Sequence, residues 1–140
     1  MRTNWTSGTL LILAASLAAG CAASGPAFQR VAIPDGKSVI YAYRPNSIFG
    51  GGVVPTVTCG ASAVSLSRGG YHPFIIDPGT VTCHAATEST STVRVDTRPN
   101  EASYVKEEIG MGFFIGRPHL QVTSKETGES EVLECKLQQE

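Results

Sequence analysis

Three histidines, four cysteines and twelve acidic side chains are the groups of this 140-residue chain that can do chemistry, and their spacing limits what that chemistry is. His72, His84 and His119 include no pair four residues apart, the spacing that stacks two imidazoles on one helix face, and the chain has no C-x-x-C. No metal site is expected. Cys83 and His84 are adjacent, so a strand sends them to opposite faces. No G-x-S-x-G elbow presents a nucleophile. Asp77 with Glu107 and Glu108 is the one conceivable acid pair, but Asp77 falls in a turn signal and the two glutamates read as a solvated strand face. Gly110–Gly116 (GMGFFIG) approximates a dinucleotide fingerprint. Its third glycine comes one residue too late, and Pro118 opposes the helix that should follow. Gly50–Gly52 lacks the Lys-Ser/Thr of a phosphate loop. The expectation is a chain with no catalytic residues, no cofactor and no metal.

The cysteines carry more. Met1 and Arg2 give a positive start, Thr9–Leu17 is apolar, and Ala18, Ala19 and Gly20 are small, which is the order of a secretory signal peptide. The apolar run is shorter than the about 20 residues a spanning helix needs. Leu17–Cys21 (LAAGC) resembles the lipobox of bacterial lipoproteins, with the leucine one place further out than usual. The resemblance implies cleavage before Cys21, a diacylglyceryl group on its sulfur and a fatty acyl chain such as palmitate on its amine. Two or more chains hold a protein at a membrane stably, where one does so only marginally. Ala22, in place of the aspartate that marks inner-membrane retention in such lipoproteins, implies the periplasmic face of the outer membrane. Cys59, Cys83 and Cys135 remain, and an oxidising periplasm favours one disulfide among them. Three pairings exist. Cys59 shares strand parity with Val57, and Cys83 with Val81 and Ala85, so Cys59–Cys83 is the expected pair and Cys135 the alternative partner of either.

These residues need a scaffold. Without residues 1–20 the chain has ten Lys+Arg against twelve Asp+Glu, a formal charge of −2, and no basic patch that would suit nucleic acid. Residues 21–36, the lipid-bearing cysteine with a small, polar, proline-broken stretch, read as a tether able to span roughly 50 Å. Residues 37–140 read as one domain. Ser38–Arg44 (SVIYAYR) alternates Val39, Tyr41 and Tyr43 on one face and stops at Pro45. Further strands are expected at Val53–Cys59, Ala63–Ser67, Tyr71–Ile76, Val81–Thr87, Thr92–Asp96, Ala102–Ile109 and Leu120–Ser124, with turns at Arg68–Gly70, Asp77–Thr80 and Pro99–Asn100. Gly128 reads as a break. Glu131–Leu137 fits a strand or a helix, and of the two a short C-terminal helix is the expectation. The fold class expected is mainly β: a small antiparallel β-sandwich of the immunoglobulin or prealbumin-like kind.

Three stretches, "VIYAYRPNSIFGGG", "GGYHPFIIDPGT" and "GMGFFIGRPHLQV…ECKL", together resemble a family of small bacterial lipoproteins sharing domain of unknown function 2846, over about residues 36–137. The resemblance implies a lipid-anchored, sandwich-like domain and no reaction. The function expected is a periplasmic envelope module with a binding or structural role. Its partners would be the membrane, through the anchor, and an envelope protein or glycan, but not nucleic acid. The rival is a small envelope hydrolase or ligand carrier with a site assembled from distant polar residues. In "GMGFFIGRP", more than one of Phe113, Phe114 and Ile115 is expected to cover the core, with Arg117 reaching a nearby carboxylate or carbonyls; if the phenylalanines stay exposed, Phe113, Phe114 and Arg117 form an interaction surface instead.

Overall fold

The computed structural model describes residues 22–112 and 116–139. Strand alternation built from apolar residues sets its framework. The strands are β1 (Ser38–Tyr43), β2 (Thr56–Cys59), β3 (Ser62–Ser65), β4 (Gly70–Ile76), β5 (Gly79–Ala86), β6 (Thr90–Thr97), β7 (Ala102–Gly110), β8 (Arg117–Thr123) and β9 (Lys136–Leu137), with one helix, α1 (Lys125–Val132). They form two sheets, in the orders β8-β7-β1-β4-β9 and β3-β2-β5-β6. The two pack face to face as a small, mainly β sandwich. Most pairings are antiparallel, as expected. Two are not: β1 runs parallel to β7 and β4 parallel to β9, because the chain crosses through the second sheet between β1 and β7.

β1 is the centre of the molecule. Ile40 and Ala42 face the second sheet, packing with Val57, Cys83, Val95 and Leu120. Val39, Tyr41 and Tyr43 face the other way, yet they too are buried, with Tyr71, Tyr104 and Val132. What covers that outer face is α1 and the segment before β1. Residues 22–36, read from sequence as a free tether, lie along the sheet instead. The ring of Phe28 is 5.2 Å from that of Tyr41 and 4.9 Å from that of Tyr71. The Val31 N–H donates to Tyr41 Oη (2.9 Å), and the Leu137 N–H to the Pro26 carbonyl (2.8 Å). The physical reason is the aromatic surface of β1 and β4, which needs covering and against which Phe28, Val31 and Ile33 pack. The molecule thus has three layers.

The helix lies earlier than expected. Ser124 caps α1, its hydroxyl accepting from the Thr127 N–H at 3.2 Å, and Glu126 sits favourably in the first turn. Gly128, read as a break, is inside the helix. A Cβ there would lie 2.3 Å from Tyr104 Cγ, so the glycine is what lets α1 approach the sheet. Of Glu131–Leu137, only Glu131 and Val132 are helical, and Lys136–Leu137 forms β9. Leu133, expected on an apolar face, is exposed. Prolines respect the sheet: Pro118 is on the edge strand β8, and Pro73 lies on β4 beyond the reach of β9, which pairs only Gly70 and Tyr71.

Candidate functional site

β1 and β7 run parallel, with Tyr43 beside Lys106, so the next residues, Arg44 and Glu107, emerge side by side at one end of the sandwich. Both continue the inward parity of their strands, Arg44 after Ile40 and Ala42, Glu107 after Val105. Both are therefore buried between the sheets, at 2% and 0% exposure. Arg44 Nε lies 3.4 Å from Glu107 Oε2. Its Nη1 donates to the carbonyls of Val53 (2.6 Å) and Leu66 (3.2 Å), and its Nη2 to that of Gly50 (2.7 Å). The guanidinium thus acts as a template around which residues 45–55 fold back. Burial drives the Glu107 carboxyl up to about 7, against the pull of Arg44 and with a further push from Glu108. Neither Glu107 oxygen accepts a hydrogen bond from the described residues. Glu107 is thus not on a solvated strand face, as its sequence neighbourhood suggested. Asp77 pairs with Lys37 at the opposite end, beside the start of β1, so the acid pair considered from sequence does not form.

Above the ion pair opens a cleft of about 320 Å³, lined by Pro45, Ser47, Phe49, Glu108, Ile109 and His119 as well as the pair itself. Its glycines are explained by packing. A Cβ on Gly50, whose φ is +67°, would lie 2.4 Å from Ile109 Cγ2, and one on Gly116 would lie 2.2 Å from the same atom. The two glycine-rich stretches close on Ile109 from both sides, and no phosphate loop is built. Arg117 is exposed at the start of β8, opposite Gly110, and Pro118 is buried opposite Ile109. Cys21, Phe113 and Phe114 lie outside the described residues.

The other chemistry-bearing groups do not converge here. His72 is on β4, its ring edge-on to Phe74 at 4.7 Å, His84 is on β5, and only His119 reaches the cleft. Among the described residues no group of three or more His, Cys, Asp or Glu could hold a metal ion. Cys59 and Cys83 face each other directly across β2 and β5, with Cα atoms 4.2 Å apart, and are joined by a disulfide. Cys135 is a free, buried thiol, 3.7 Å from the Arg44 carbonyl, and burial pushes its pKa up to about 12. It is an inert side chain rather than a nucleophile. Sequence reading missed Arg44 altogether. The signal was present in the parity of SVIYAYR, which puts Arg44 on the Ile40 face. No family model, curated protein or solved structure matches the chain.

Proposed function

We propose that this chain is a lipid-anchored module of the bacterial cell envelope, held through Cys21 at the periplasmic face of the outer membrane, with a binding role rather than a catalytic one. The observation that carries the reading is the place of Cys21. It follows the small-residue end of a signal-peptide pattern and directly precedes Ala22, which makes the first contact of the described fold, a bridge to Arg68. The cleft supports binding. Arg44 donates to the Gly50 and Val53 carbonyls of the loop that carries Phe49, and to that of Leu66, and Pro45, Phe49 and Ile109 rim the cleft. The partner class is an envelope protein or a glycan.

Growth with a labelled fatty acid tests the anchor: the parent takes up label, Cys21→Ser does not, and label retained by the variant overturns the reading. Crosslinking in intact cells then reads the partner. A second reading, a small-ligand carrier, draws on the Glu107 carboxylate, whose oxygens stand without hydrogen bonds beside the cleft. It expects a small amine to raise Tm in the parent and to lose that effect in Glu107→Gln.

A further inference from the structure

The two most exposed large apolar side chains among the described residues are Ile48 and Met111, at 93% and 80%, and Phe49 is exposed beside them at 63%. They are not scattered. Ile48 and Phe49 belong to the loop after β1, Met111 to the one after β7. Phe49, Gly50, Ile109, Gly110 and Met111 line one shallow depression, so the two loops meet at the cleft end of the sandwich. Solitary exposed apolar residues are ordinary, but a contiguous group on loop tips marks a contact surface.

The first described residue is at the same end. Ala22 bridges to Arg68, and the Ala23 N–H donates to the Arg68 carbonyl at 3.1 Å. The Arg68 side chain in turn borders the apolar loop. A Cβ on Gly51 would lie 3.4 Å from Arg68 Cδ and 3.5 Å from the Ile48 carbonyl. From Ala22 onward the chain is packed on the sheet rather than loose. A lipid on Cys21 is then one residue from this end of the domain, about 3.5 Å of chain.

We infer that the cleft end of the sandwich rests on a phospholipid bilayer, with Ile48, Phe49 and Met111 set into its interfacial layer as a second attachment beside the lipid on Cys21. The inference rests on Cys21 being the anchor. A short anchor keeps the domain at the surface but leaves it free to roll, and the apolar tips fix which end faces down. Arg117, exposed beside Gly110 at the same end, is placed to meet lipid phosphates. The opposite end, with the β2–β3 turn at Ala61 and the Lys37–Asp77 pair, then points into the periplasm.

The single tryptophan of the chain is Trp5, so the chain from Cys21 onward, which contains every described residue, has none. Ile48→Trp and Ala61→Trp each place one indole reporter at an exposed site. The Cys21 thiol is coupled to a maleimide-bearing phospholipid in vesicles of phosphatidylethanolamine and phosphatidylglycerol. Cys135 does not compete, being buried, and the other two cysteines are joined. With brominated lipids in the bilayer, the Ile48→Trp protein is expected to lose most of its indole emission and the Ala61→Trp protein almost none. Adding Met111→Asp to Ile48→Trp is expected to restore most of the emission. Equal, weak quenching in both single variants overturns the inference and leaves the apolar tips to a protein partner. Because the lipid is supplied chemically, this outcome does not depend on whether cells acylate Cys21, which the labelled fatty acid reads separately.

Discussion

Arg44 and Glu107 are the residues whose chemistry most shapes this end of the molecule. The unfolded Glu107 carboxyl ionises in the usual carboxylate range, while the folded one, desolvated, holds its proton up to about 7. Between those limits the unfolded chain binds fewer protons than the folded one, so this group's contribution to stability falls as pH rises through that window. Glu107→Gln removes the decline. The unfolding free energy of the variant, measured in urea from pH 4 to pH 8, is expected to gain on the parent steadily with pH; a constant gap would show that the carboxyl is not held neutral. Arg44→Met leaves Glu107 and three carbonyls without their buried partner and is expected to cost about 3–5 kcal/mol. A cost under about 1 kcal/mol would mean that the loop does not depend on the guanidinium.

At the scale of elements, one close contact of α1 and one covalent bond of β5 can each be tested. Gly128→Ala should stabilise an isolated helix by about 1 kcal/mol. In this protein the added methyl would meet the Tyr104 ring, and the expected result is a loss of about 1–3 kcal/mol. The sign alone decides whether packing or propensity governs the position. The Cys59–Cys83 bridge joins neighbouring strands across 24 residues of sequence. Replacing both cysteines with alanine is expected to remove about 3 kcal/mol, read as a lower urea midpoint in the absence of reductant. Most strands were legible because each alternates or runs apolar between turn residues. The helix was not, because Gly128 imitates a stop and Leu133 imitates a core position. Its one local signal was Ser124 as a cap.

For the whole molecule, the outer layer is the informative feature. Phe28, Val31 and Ile33 cover the aromatic face of the five-stranded sheet, and Arg30 reaches Glu129 of α1 at 3.0 Å. If that layer is held mainly by the Phe28 ring, Phe28→Ala loosens the segment without unfolding the sandwich. Trypsin should then cut after Arg30 on the order of tenfold faster, corresponding to a local loosening of about 1.4 kcal/mol. Unchanged cleavage with unchanged global stability would mean that the remaining contacts, the bonds from Val31 and Leu137 and the Arg30–Glu129 pair among them, hold the layer without the Phe28 ring. The same packing holds the chain to the fold from Ala22 onward, where the sequence reading had a loose tether.

The sequence by itself determined the mainly β character, the number and approximate limits of the long strands, and the inward parity of Cys59 and Cys83, because period-2 alternation and turn residues are local properties of the backbone. Only the tertiary structure decided that β1 is buried on both faces, that residues 22–36 are a layer of the fold, and that Arg44 meets Glu107 under a loop closed by Gly50 and Gly116. Each of these depends on which strands become neighbours. The parallel pairing of β1 with β7 joins Val39 to Ala102 and Tyr43 to Lys106, far apart in the chain, and that pairing is set by the burial of the whole aromatic and aliphatic surface rather than by any short stretch of chain.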